Sequence, residues 1–213
     1  ADRGPRDITF TFDSNEARRT ARLGQTLYIS GGEILTYDGS NIVECGFHIY
    51  PWNWSQAFNL GVGGDVEDGT YAYKQTLRYD NARGELDRST TALIVAPVVS
   101  TGPLQIELTD SPGLYVTHKT TNPIAIEWWR TLKNPTDDSP FYLVTSKVPT
   151  ELTNPNRYLP NDVLAAHTPD FHDDLADVDV ADLETNPENG GVLENLAPPA
   201  ATIIVASDTR LFL

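Results

Sequence analysis

From residue 8 to residue 148 the chain reads as strand after strand, and this constrains the fold more than any other feature of the sequence. ITFTF (8–12), TLYIS (26–30), EILTY (33–37) and IVECGFHIY (42–50) come first. TYAYKQTLRY (70–79), TALIVAPVV (91–99), LQIEL (104–108) and LYVTH (114–118) follow, then IAIEWWRTL (124–132) and FYLVTSKV (141–148). Most are rich in β-branched and aromatic residues, and several alternate with period two. In TYAYKQTLRY, Tyr71, Tyr73, Gln75, Leu77 and Tyr79 share one face, and Lys74 and Arg78 share the other. Turn chemistry separates the runs: Gly31-Gly32, Asp38-Gly39, Asp68-Gly69, Ser111-Pro112-Gly113, Asn122-Pro123 and Ser139-Pro140. Asp38-Gly39 between two strand patterns predicts a hairpin. One early helix competes with an irregular loop: Asp13 and Glu16 would form its capping box, Gly24 would end it, and Arg18 and Arg22 would share a face.

The pattern changes at Pro149. Residues 149–200 hold many prolines and only short apolar clusters, and two stretches, from Asn161 and from Asp170, suit short helices. ATIIVAS and TRLFL (201–207 and 209–213) are again strand-like. The expected architecture is therefore all-β, a single domain over 1–213 built as an antiparallel sandwich or barrel. Residues 149–200 form an acidic, Pro-rich, mostly irregular surface insertion, after which the last strand returns to the sheet. Strand order alone does not separate a jelly roll from an immunoglobulin-like topology.

Charge narrows the function. The formal net charge is −15, with four lysines against eleven arginines and nineteen aspartates against eleven glutamates. A carboxylate-rich, lysine-poor surface keeps a protein hydrated in concentrated salt, where the Debye length falls to about 3 Å at 1 M. A halophilic source is expected. Such a surface disfavours nucleic acid, and the one basic cluster, Arg18, Arg19 and Arg22, is too small for specific readout. That cluster suits an anionic lipid surface, an acidic neighbouring subunit or the chain's own carboxylates. Cys45 is the only cysteine, so no intrachain disulfide forms, and its apolar surroundings predict an inert thiol. The sequence has no apolar run of about 18 residues, so no membrane-spanning helix is expected.

The segment DFHDDLADVDVADLE (170–184) carries seven carboxylates and no positive charge. Asp170, Asp173, Asp174, Asp177 and Asp179 are candidate hard-oxygen ligands for a cation such as Ca²⁺. The EF-hand spacing fails, because Ala181 and Asp182 stand where a ligand and the glycine belong. His167 and His172 lie five apart, which does not stack them on one helix face. A solvated acidic face is therefore expected here, with no metal and no cofactor. No nucleophile elbow, phosphate loop or zinc-protease motif occurs, so no catalytic residue is assigned. The aromatic candidates are Trp52 and Trp54, which suit sugar stacking or a subunit contact, and Trp128, Trp129 and Arg130. Trp128 and Trp129 alternate in a strand, so one of them is expected to face outward at an interface, unless the aromatics fill the barrel and its rim.

ITFTF, the strand series through FYLVTSKV, the acidic Pro-rich excursion and the closing ATIIVAS–TRLFL resemble the vertical single jelly-roll major capsid proteins of icosahedral, membrane-containing viruses of halophilic archaea. The resemblance spans the chain as pattern and composition. It implies a single jelly roll and a structural, non-enzymatic role in the capsid shell of a virion. It also implies manufacture in the host cytoplasm and lateral assembly with itself and a second capsid protein, above an internal viral membrane. The alternatives are a carbohydrate-binding β-sandwich of a halophile that uses Trp52 and Trp54, and a viral spike, turret or tail protein.

Overall fold

A computed structural model of the chain describes residues 17–48, 54–59, 63–90, 98–100, 105–110, 119, 125–145, 159–160, 170–186 and 197–213. The first strands are β1 (Thr20–Leu23), β2 (Thr26–Ile29), β3 (Leu35–Tyr37), β4 (Ile42–Glu44) and β5 (Trp54–Asn59). Next come β6 (Gly69–Tyr71), β7 (Tyr73–Asp80), β8 (Leu86–Arg88), β9 (Val98–Ser100), β10 (Gln105–Asp110) and β11 (Ala125–Arg130). The chain continues through β12 (Tyr142–Leu143), β13 (Leu159–Pro160), β14 (Asp170–Asp173), a single turn of helix α1 (Asp177–Val180), β15 (Val205–Ser207) and β16 (Arg210–Phe212). The described strand pairs are all antiparallel, in line with the expected all-β class.

β1 to β4 form a four-stranded meander in sequence order. Gly24 has φ 60° at the first position of the two-residue β1–β2 turn, where the tight hairpin turn favours glycine. This hairpin replaces the expected early helix over residues 17–24. The proposed caps Asp13 and Glu16 lie outside the described residues, and cross-strand pairing of Thr20 with Ile29 and of Leu27 with Tyr37 outweighs local helix propensity. At the β3–β4 turn, Asp38 Oδ1 accepts from the backbone N–H of Ser40 (2.8 Å) and of Asn41 (2.7 Å), as the Asp-Gly signal predicts.

A second sheet has the order β14-β10-β5, and a third runs β12-β11-β7-β8 with β13 beside β11. β6 pairs with β9, and β15 pairs with β16. Two described stretches of the expected insertion thus pair with the sheets. Residues 159–160 extend the edge of β11, and residues 170–173, expected as the start of a short helix, pair with β10 instead. The C-terminal segment returns to the meander through a bridge between Gly32 and Ala201, while β15 and β16 close on each other as a hairpin.

The main core lies where the three sheets meet. Tyr71, Tyr73, Leu77 and Tyr79 point into it from β6 and β7, as the period-two pattern predicts, with Ile106 and Leu108 from β10, Trp128 from β11 and Val180 from α1. A smaller cluster of Ala72, Trp129, Phe141 and Leu143 covers the opposite face of the third sheet. Both faces of β11 are therefore buried, and Trp128 and Trp129 are each fully enclosed. The expectation that one of them faces outward is corrected: the loop carrying Phe141 and the cation of Arg88, 5.1 Å from the Trp129 ring centroid, cover the second face.

Candidate functional site

The polar centres of the structure grow from β11 and the acidic segment that wraps it. Arg130 alternates with Trp129 and so turns toward the main core, where it is wholly buried. Its Nη1 donates to Asp173 Oδ2 (2.8 Å) and to the Leu175 carbonyl (3.0 Å), and Nη2 donates to Asp177 Oδ1 (3.0 Å). The Tyr73 hydroxyl donates to the same Asp173 oxygen at 2.6 Å, and the Tyr71 ring lies 5.0 Å from the guanidinium. Burial alone would pull the Arg130 pKa down, but Asp173, Tyr73 and Asp177 raise it above the usual arginine value. Burial, then the Asp173 charge, holds Tyr73 well above the usual phenol value, and burial with the Asp177 charge pushes Tyr71 up to about 12.

The other face of β11 carries a second ion cluster. Glu127 is almost fully buried and receives a two-point contact from Arg88, Nε to Oε2 at 2.8 Å and Nη2 to Oε1 at 3.1 Å. Thr76 donates to Glu127 Oε2 (2.9 Å) and accepts from Trp129 Nε1 (2.9 Å). Arg88 Nη1 reaches Glu184 at 3.0 Å. Between Asp173 and Glu184 the chain passes from the inner face to the outer one, and it is tied to the β12 edge by the bonds Leu143 N to Glu184 O (2.8 Å) and Asn186 N to Phe141 O (2.7 Å).

This geometry revises the expected roles. Asp173 and Asp177 are counter-ions of Arg130 rather than a solvated face or a cation site, because a buried guanidinium requires paired carboxylates. Arg130 itself is an internal cation, not an exposed interface residue. Asp170 lies in β14 opposite Thr109 of β10, the Asp174 carbonyl accepts from Asp65 N, and Asp179 is exposed on α1. Among the described side chains, Asp173, Asp174, Asp177 and Asp179 are not gathered around one point. Arg18 is partly buried, whereas Arg19 and Arg22 are exposed, and Arg22 Nε donates to the Gly24 carbonyl within its own hairpin. Trp52 lies outside the described residues, and Trp54 opens β5 opposite Asp110.

Two further features were not singled out from the sequence. A cavity of about 220 Å³ lies between the meander and the β7–β8 hairpin, with Asp38, Cys45, Tyr79, Arg83, Glu85 and Asp87 on its wall. It is smaller than the roughly 300–1,000 Å³ typical of organic-ligand sites. Its mouth is braced by Arg83, which bonds the Gln25 carbonyl (2.7 Å), and by Asp38 Oδ2, which accepts from Ala82 N (2.9 Å). Burial, then the Asp87 charge, lifts the Cys45 thiol to about 11, which leaves it protonated and unreactive near neutral pH. Beside it, Glu33, Glu44 and His48 bring their ligand atoms within 4.8 Å of one another. Comparison with protein-family models, curated proteins and solved structures finds no match for the chain.

Proposed function

We propose that the chain is a structural subunit that assembles laterally, with itself and a related partner, into the capsid shell of a virion adapted to high salt. The observation that carries this reading is the C-terminal hairpin. Val205 and Phe212 face each other across β15 and β16, and each is 54% exposed. Ile203 and Leu213 adjoin them at 53% and 48%. A chain that buries two tryptophans, an arginine and a lysine completely, yet leaves four large apolar side chains open at one end, has a surface suited to a partner. The antiparallel sheets suit a single jelly roll. The ion clusters around Arg130 and Arg88 support a rigid building block, since each charge is held by several partners. The net charge of −15 suits a surface hydrated by salt.

Electron microscopy and sedimentation of the purified chain in molar salt test the proposal, alone and with co-purified partners. Assemblies or salt-dependent oligomers are expected. A strict monomer that instead binds polysaccharide through Trp52 and Trp54 would replace this reading with the carbohydrate-binding one.

A further inference from the structure

We infer that Glu33, Glu44 and His48 form a binding site for one divalent transition-metal ion, placed where the C-terminal segment docks on the β3–β4 ribbon. The site follows from strand register. Leu35 pairs with Glu44, so Glu33, two residues before Leu35, lies diagonally across from Glu44, within reach of a long side chain. The bond from Cys45 N to the Ile34 carbonyl, 2.9 Å, carries the ladder one step past the strand end. Gly46, at φ 70°, then turns the chain, and His48 Nε2 comes to 2.7 Å from Glu33 Oε1.

The donor set selects the ion class. Two carboxylates and one imidazole suit zinc, manganese, iron or cobalt, whereas calcium and magnesium favour all-oxygen shells. Bonds of about 2.0–2.2 Å place the donors of one ion roughly 3–3.5 Å apart, a separation between the 2.7 Å pair and the 4.8 Å limit of this cluster. Glu44 is buried, while Glu33 and His48 are partly exposed, so they can adjust and the ion can reach the site from solvent. Three protein ligands leave a coordination position for water or an outside donor.

The neighbours of these ligands tie the site to the C-terminal segment. Gly32, beside Glu33, bridges Ala201, and the Phe47 carbonyl, beside His48, accepts from Ala197 N at 3.2 Å. A bound ion therefore fastens the two segments flanking the β3–β4 ribbon on which residues 197–201 rest.

The inference is independent of the capsid reading, and titration of the chelator-treated full chain with Zn²⁺ and Co²⁺ tests it. Salt near 1 M screens loose binding to the acidic surface, because charges there interact over only about 3 Å. One ion per chain is expected, with a Co²⁺ absorption spectrum of a nitrogen–oxygen site and slower amide exchange at Gly31 and Ala201. His48→Ala and Glu33→Gln, both partly exposed and safe for the fold, should each weaken binding at least about tenfold. Asp137→Asn, on an exposed loop, should leave it unchanged. Absence of one-to-one binding overturns the inference. So does uptake of several ions per chain that ignores His48→Ala, which would mark adventitious binding to surface carboxylates.

Discussion

Arg130 Nη1 and Asp173 Oδ2 meet at 2.8 Å, and neither side chain has any solvent exposure. Removing one member strands the other charge in the core, which costs about 3–5 kcal/mol. Asp173→Asn should lower the urea unfolding free energy by about that amount. The double variant Arg130→Met, Asp173→Asn should lose less than Arg130→Met and Asp173→Asn summed, because neither member of this pair is then left as an unpaired charge, while Asp177 keeps its bond from Lys133 N. Equilibrium unfolding of the four chains at fixed salt measures the coupling, and strict additivity would mean that the pair is not a unit.

Gln75 is the opposite case. It lies on the core face of β7 opposite Trp128 and is wholly buried, yet neither its Oε1 nor its Nε2 has a hydrogen-bond partner among the described residues. An unsatisfied buried polar group costs about 1–3 kcal/mol. Gln75→Leu, of similar length and without polar atoms, should therefore raise the thermal midpoint, and a fall by scanning calorimetry would contradict this.

Cys45 makes a pH prediction. Its folded value, about 11, lies above the ordinary 9.0, chiefly through burial. The folded chain thus holds the proton over a range in which the unfolded chain loses it. The stabilising contribution of the neutral thiol is complete below 9.0 and is lost as pH rises through 11. Urea midpoints of the parent chain should fall relative to Cys45→Ala across that window. Alkylation by iodoacetamide near neutral pH should be slow in the folded chain and fast in urea.

Gly31 should resist substitution where Gly24 tolerates it. Gly31 has φ 107°, and an added Cβ would lie 3.0 Å from Arg18 Cγ and 3.5 Å from the Ala17 carbonyl. Gly24 has φ 60° with nothing within 4 Å. Gly31→Ala should cost more than about 1 kcal/mol, and Gly24→Asn much less, because asparagine adopts the left-handed region readily. Equal losses in a denaturant series would show that the two positions are not distinguished by their surroundings.

The sequence made some of this legible and hid the rest for physical reasons. Alternation in TYAYKQTLRY placed Tyr71, Tyr73, Gln75, Leu77 and Tyr79 on the core side, where all five are buried, because a half-buried strand imposes period two. The Asp38-Gly39 turn was equally readable, since its bonds are local. Alternation also separated Trp128 from Trp129, but it could not show that a second layer covers the far face of β11, which depends on Phe141 and Arg88 arriving from elsewhere. The aspartates of 170–184 looked like a solvated run because their counter-ion, Arg130, stands some forty positions earlier, and no local pattern records a long-range ion pair. The Glu33, Glu44 and His48 cluster was within reach of register arithmetic. A four-residue turn at 38–41 pairs Tyr37 with Ile42 and Leu35 with Glu44, which sets Glu33 beside Glu44.

The last prediction concerns association, and it turns on Phe212. Phe212 pairs with Val205 across the C-terminal hairpin, both side chains are more than half exposed, and the Ser207–Arg210 turn holds Asp208 at φ 35°. A neighbouring subunit that covers this face would gain apolar burial worth about 25 cal/mol per Å². Against it stands the net charge of −15, eleven carboxylates of which lie between residues 158 and 209 with no positive side chain among them. At low ionic strength, where the Debye length reaches about 30 Å, that repulsion dominates. In molar salt it is screened, and sulfate further strengthens apolar burial. Oligomers should therefore grow with salt and with concentration, and sedimentation equilibrium should follow them. Phe212→Ala should weaken association by more than about 2 kcal/mol if this residue anchors the contact, while the β-type circular dichroism stays unchanged because the side chain is already half in solvent. Trp129→Ala should behave differently: it opens a cavity in a closed layer and costs about 3–5 kcal/mol of fold stability, so the chain unfolds before it dissociates. If Phe212→Ala leaves the sedimentation profile in molar salt unaltered, the hairpin is not the contact, and the assembly reading loses the observation on which it stands.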